Sequence, residues 1–113
     1  MKVSELTGAL LDYWVARAEG WVFDQDDDMW RTADGRAQQL KGHWTPSTYW
    51  AQGGPIIERE RMSLDGETRH AAIRVGNGAQ WQSAYGETLL VAAMRAYVAS
   101  RFGDDVADHG IPS

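Results

Sequence analysis

His70-Ala71-Ala72-Ile73-Arg74-Val75-Gly76-Asn77-Gly78-Ala79-Gln80-Trp81-Gln82-Ser83-Ala84-Tyr85-Gly86 is the stretch on which the fold turns. Apolar residues recur at Ala71, Ile73 and Val75, the period of a half-buried strand. Gly76-Asn77-Gly78 reads as a hairpin turn, and Ala79, Trp81, Ser83 and Tyr85 carry the alternation back. The expected element is an antiparallel sheet with one buried face, preceded by a turn at Asp65-Gly66. Beyond Gly86 the period changes. Leu90, Ala93, Met94, Tyr97 and Arg101 trace one helical face, widened by Leu89, Val91 and Val98. A helix over Glu87 to Phe102 follows, stopped by Gly103 at C′.

Towards the N-terminus the pattern is less regular. Pro55 suits the first position of a helix to about Arg59 or Glu60, although Ile56 to Arg61 also fits a strand. Ser47 or Thr48 can cap a short helical turn ending at Gly53. Residues 24–43 are polar, and Met29–Arg31 can pair with Gln38–Lys41 across the Asp34-Gly35 turn. Trp21-Val22-Phe23 reads as a short strand buried on both faces. Leu6, Leu10, Tyr13 and Arg17, flanked by Leu11, Trp14, Val15 and Ala18, predict a helix from Glu5 to Glu19, with Ser4 as N-cap and Gly20 as stop. No repeats or linkers are visible. The fold class is α+β: an N-terminal helix, a small antiparallel sheet, a short middle helix and a C-terminal helix, layered as a helix/sheet sandwich with both long helices on one sheet. Residues 1–103 form the single expected domain and 104–113 a flexible acidic tail.

The chain has 113 residues, eleven basic and sixteen acidic, for a net charge of −5. That size suits one core that buries about two-thirds of the unfolded surface. The charge disfavours a broad grip on duplex DNA. There is no cysteine, which removes disulfides, thiolate zinc sites and thiol nucleophiles. No signal-peptide core or apolar run of ~18 residues is present, so the expectation is a cytoplasmic protein without a membrane partner.

Candidate chemistry is sparse. Asp24, Asp26 and Asp28 start an EF-hand spacing, but Met29 stands where glycine is needed and Gly35 where a bidentate glutamate is needed. The acidic loop is read as solvated, and no metal site is assigned. His43, His70 and His109 share no helix face, and no His-Glu-x-x-His or Gly-x-Ser-x-Gly motif occurs. No catalytic residue and no cofactor is implied. If a helix starts at Pro55, Gly53 and Gly54 present backbone N–H groups at its positive end, an anion site. Ser47 and Thr48 stand close in sequence, Arg59 and Arg61 are within reach, and Trp44, Tyr49 and Trp50 can stack on a base. The plainer reading makes Trp44 and Trp50 core anchors and Gly-Gly-Pro a corner. Among the aromatics, Trp14, Trp21, Trp81 and Tyr97 fall on apolar faces and are expected in the core. Trp30, Trp44, Tyr49 and Trp50 lie in polar segments and are expected at a pocket or interface.

The stretch Thr45-Pro46-Ser47-Thr48-Tyr49-Trp50-Ala51-Gln52-Gly53-Gly54-Pro55-Ile56-Ile57-Glu58 resembles the NinX-like proteins of lambdoid phages. The resemblance extends to the opening helix, Leu10 to Gly20, and to Ala92–Gly103 in the closing one. It implies a phage or prophage accessory protein working in the host bacterial cytoplasm, and it implies no chemistry. Two functions are expected from the residues in that setting. The first is a non-enzymatic protein that sequesters a nucleotide-like host defence signal, using Thr48, Gly53, Gly54 and Arg59 with Trp44 and Trp50 stacking. The second is an inhibitor of a host defence or nucleic-acid-processing protein, presenting Asp24, Asp26, Asp27, Asp28 and Trp30. The apolar stripes on both long helices also suit a homo-oligomer.

Overall fold

Val3 and Leu6 are both buried, and the chain opens on a single 3-10 turn, Val3–Glu5, whose three-residue repeat brings them to one side. Ser4, expected as an N-cap, lies inside that turn. The first α-helix, α1 (Gly8–Ala18), starts after Thr7 instead. It stops as expected at Gly20, φ +86°. Gly20 N–H donates to Arg17 C=O at 3.0 Å, and Trp21 N–H to Ala16 C=O at 3.1 Å, the paired bonds of a left-handed helix stop. Strands β1 (Val22–Asp24), β2 (Met29–Arg31) and β3 (Ala37–Leu40) then form one antiparallel sheet in that order, with Phe23 opposite Trp30. The expected hairpin of residues 29–41 is present. Strand β1 is not buried on both faces: it is an edge strand, and Val22 is 56% exposed.

Helix α2 (Trp50–Arg59) begins a second passage through the same shape. Arg61 takes the left-handed position with φ +53°; its N–H donates to Glu58 C=O and that of Met62 to Ile57 C=O, both at 3.1 Å. Strands β4 (Ser63–Asp65), β5 (His70–Val75) and β6 (Gln80–Tyr85) make a second antiparallel sheet. In both first hairpins an aspartate bonds the N–H two residues on, Asp24 to Asp26 and Asp65 to Glu67, each at 3.0 Å. Both hairpins also leave their turn through a left-handed residue, Asp28 or Arg69. Gly20 and Arg61, Asp24 and Asp65, and Asp28 and Arg69 are each 41 positions apart. The fold thus holds two copies of one helix–three-strand unit, which the sequence reading had not found.

This computed structural model describes residues 1–76 and 80–107. Asn77, Gly78 and Ala79 of the expected turn lie outside them. The β5 face is as expected, with Ala71 and Ile73 buried, but the β6 face is reversed. Ala71 pairs with Ala84 and Ile73 with Gln82, so even-numbered β6 residues share the inner face. Trp81, expected in the core, is therefore 49% exposed, with the Arg74 guanidinium 4.9 Å from its ring centre. The parity of a hairpin sets this, and a one-residue change flips every side chain.

Helix α3 (Leu89–Phe102) starts two residues later than expected because Thr88 Oγ1 accepts the Val91 N–H at 3.1 Å. Gly86 lies before the helix, and a Cβ there would stand 2.5 Å from the Ala92 nitrogen, so glycine permits a close crossing. α3 lies between β5–β6 and the helices α1 and α2, and Ala92 to Ala99 are buried without a break. The two long helices do not share a sheet: α1 packs on α3 and meets the first sheet through Tyr13 on Trp30, ring centres 5.3 Å apart. Most of both apolar stripes is covered within the chain, with Leu10, Leu89 and Val91 left half-buried. At the C-terminus, Asp104 C=O accepts the Val3 N–H at 2.9 Å and Val106 is buried, so the start of the expected flexible tail is docked. Residues 108–113, with His109, lie outside the described ones.

Candidate functional site

The Gly53-Gly54-Pro55 anion site does not form. α2 runs unbroken through all three residues, and Gly53 N–H already donates to Tyr49 C=O at 3.0 Å. The missing proline N–H leaves only the Ala51 carbonyl without its helical donor. Gly53 is there for packing: a Cβ would stand 2.5 Å from the Pro46 oxygen and 2.6 Å from Leu90 Cδ1. Arg59 is engaged elsewhere, with Nη1 and Nη2 donating to Glu19 at 3.2 and 2.7 Å and Nη2 also to Tyr97. Arg61 forms the helix stop.

What the structure assembles is a cleft at the starts of all three helices. Thr7 and Gly8 open α1, Thr48 and Trp50 open α2, and Thr88, Leu89 and Leu90 open α3; together with Ser47, Gly66, Arg69 and Glu87 they line about 520 Å³. No first turn carries an acidic residue, whereas each last turn carries an arginine: Arg17, Arg59 or Arg101. The negative helix ends are thus matched by cations, while the positive ends face the cleft without a carboxylate in their own turns. Neither Thr7 nor Tyr49 bonds its helix's first turn through its side chain. Ser47, 1% exposed, has a hydroxyl with no hydrogen-bond partner among the described residues.

A second cleft of about 470 Å³ adjoins the first, sharing Gly8 and Thr48. Tyr13, Trp30 and Trp44 wall it, with Asp12, Asp28 and Lys41 as its charged groups. Asp12 is 5% exposed, and its Oδ1 accepts the Ser47 N–H at 2.9 Å. Its C=O accepts the Trp44 indole N–H at 3.0 Å. Burial pushes the Asp12 carboxyl pKa up, and the nearby Ser47 hydroxyl and amide partly offset this.

Of the residues singled out from sequence, Ser47, Thr48 and Trp50 meet in the first cleft, and Trp44 joins Thr48 in the second. Tyr49 is 55% exposed; Gly53, Gly54, Arg59 and Arg61 line neither cleft. Trp30 and Trp44 are buried in the core, and both also line the second cleft, the pocket position expected of them. Trp44 packs on Trp21 at 4.6 Å, and Trp30 sits between Tyr13 and Phe23. The acidic loop is partly neutralised: Arg31 pairs with Asp24 at 2.9 Å and Asp27 at 2.7 Å, holding the Asp24 carboxyl below the usual range. Asp26 donates its N–H to Asp24, and Asp28 is one of the residues lining the second cleft. Asp12 and Arg69 were missed. The signal for Asp12 was a carboxylate interrupting the apolar run Leu10 to Ala16; Arg69 gave none.

Among the described residues no cluster of three or more histidine or acidic side chains is placed to hold a metal, and no helix is long and apolar enough to cross a membrane. Fold and clefts together define a mixed α+β protein of two repeated units closed by a third helix. The chain belongs to the phage NinX family: the family model described as Bacteriophage P22, NinX matches residues 2–101. It is a bacteriophage protein of a family without an established function. Comparison with curated proteins gives no significant match.

Proposed function

We propose that this phage protein is a non-catalytic accessory factor that binds a small anionic, nucleotide-like molecule and sequesters it from host defence in the host cytoplasm. One observation carries the reading: three helix starts, free of acidic residues in their first turns, face one cleft with Arg69. Backbone N–H groups and aligned dipoles at such ends favour phosphate. The cleft supplies hydroxyls, amides and a guanidinium, groups that hold phosphate by hydrogen bonding. Glu87 is the opposing charge in its lining.

Thermal unfolding against inorganic pyrophosphate, mononucleotides, cyclic oligonucleotides and ADP-ribose derivatives tests it. A ligand at about a hundred times its Kd adds roughly 2.7 kcal/mol, about 10 °C for a domain of this size. Arg69→Gln is expected to weaken pyrophosphate about tenfold, the loss of one charge-assisted hydrogen bond. A flat response to pyrophosphate and to every nucleotide would refute the proposal.

A further inference from the structure

A buried carboxylate with too few partners needs a reason. Asp12 is 5% exposed, yet the one hydrogen bond its carboxylate accepts among the described residues comes from the Ser47 amide. No cation forms an ion pair with it among the described residues. Burying a carboxylate so poorly compensated is costly, and donors from a ligand relieve that cost. Asp12 is also held still: Ser47 fixes Oδ1 and the Trp44 indole fixes the backbone carbonyl of the same residue. Around it stand Tyr13, Trp30 and Trp44, a largely apolar wall of the kind that accepts a planar ring.

We infer that this second cleft receives the base of the bound nucleotide, and that Asp12 selects a base edge carrying two adjacent N–H donors, as guanine does. The inference rests on the anion-binding reading of the first cleft. Gly8 and Thr48 border both clefts, so one ligand spans them with its phosphate beside Arg69 and its base beside Asp12. The reverse orientation sets phosphate against the Asp12 and Asp28 carboxylates. Lys41, the remaining charged group of this cleft, has its ammonium 5.5 Å from the centre of the Phe23 ring. A carboxylate oxygen has two acceptor directions, so Oδ1 can serve Ser47 and the ligand together while Oδ2 takes the second donor. Guanine offers N1–H and an N2 amino hydrogen side by side, a match to the carboxylate fork. Hypoxanthine offers N1–H alone. Adenine places an acceptor, N1, beside its amino group and sets that lone pair against the carboxylate.

The experiment titrates GMP, IMP and AMP into the unmodified protein and into Asp12→Asn by calorimetry, with inorganic pyrophosphate as the base-free probe. GMP is expected to bind most tightly, IMP about tenfold more weakly for the lost hydrogen bond to a charged acceptor, and AMP more weakly still. Asparagine keeps an oxygen for the Ser47 N–H, so the variant should fold, bind pyrophosphate unchanged and lose the preference for GMP over AMP. Pyrophosphate binding together with equal GMP and AMP affinities in the unmodified protein overturns the base assignment and leaves the anion cleft standing. A GMP preference that survives in a folded Asp12→Asn removes Asp12 from it. Failure of pyrophosphate and all three nucleotides to bind overturns both readings.

Discussion

Asp12 shows how one residue can set stability against binding. Its folded carboxyl pKa is raised by burial, so protonation favours the folded state. Its contribution to stability is therefore present below the ordinary carboxylate pKa of about 3.9 and is lost as pH rises through the higher folded value. Asparagine does not titrate and still accepts the Ser47 N–H. Without ligand, Asp12→Asn is expected to unfold at a higher temperature than the unmodified protein at pH 7, with the gap closing near pH 3. Thermal unfolding at the two pH values measures this. A variant less stable at pH 7 would mean that the ionised carboxylate supports the empty fold, and the case for a ligand's donors at Asp12 would weaken.

Helix α2 carries the same lesson for an element. Gly53 and Gly54 are neighbours with unlike surroundings: a Cβ at Gly53 meets Pro46 and Leu90, whereas at Gly54, apart from its chain neighbours, it meets Trp50 Cε3 at 3.8 Å. Gly53→Ala should destabilise by about 1–3 kcal/mol through overpacking. Gly54→Ala should be near neutral, within about 1 kcal/mol, because its gain in helix propensity is opposed by the Pro55 ring, which crowds a Cβ on the preceding helical residue. Urea unfolding of the two variants checks the pair, and equal effects would contradict the packing described. Ile56, buried beyond the proline, helps hold α2 together where Gly-Gly-Pro on its own suggests a break. The period-2 and period-3.6 runs were legible because burial imposes them directly, as at Ala71 and Ile73 or along α3. The β6 face was not, because parity depends on the pairing of Ala71 with Ala84. The 41-residue duplication stayed hidden because backbone roles persisted while side chains changed, Gly20 in one helix stop and Arg61 in the other. The cleft was equally illegible: Thr7, Thr48 and Thr88 meet only in three dimensions.

Across the whole molecule the three helices run the same way. Their starts line the cleft, and their far ends meet in a charged cluster. There Arg59 bridges Glu19 and Glu60, Arg101 reaches Glu60 at 3.6 Å, and Tyr97 Oη lies 2.5 Å from Glu19 Oε2. Glu19 and Glu60 occupy matching positions in the two repeats, so the cluster clamps both units onto α3. Arginines at this end offset three negative helix ends, which leaves the opposite end as the positive pole available to an anion. Burial first, and then the hydrogen bond to Glu19, raise the Tyr97 pKa to about 12 from the ordinary 10.0. A raised pKa means that the folded state holds the phenolic proton after the unfolded chain has released it. The stabilisation is therefore complete below pH 10 and is lost as pH rises towards 12. Tyr97→Phe removes this titration together with the bonds to Glu19 and Arg59. The variant should be less stable at pH 8, yet lose about 2 kcal/mol less than the unmodified protein between pH 10 and 12. Urea unfolding across that range decides it: parallel decline of the two proteins would show that Tyr97 does not carry the alkaline loss, and that the clamp does not depend on its proton.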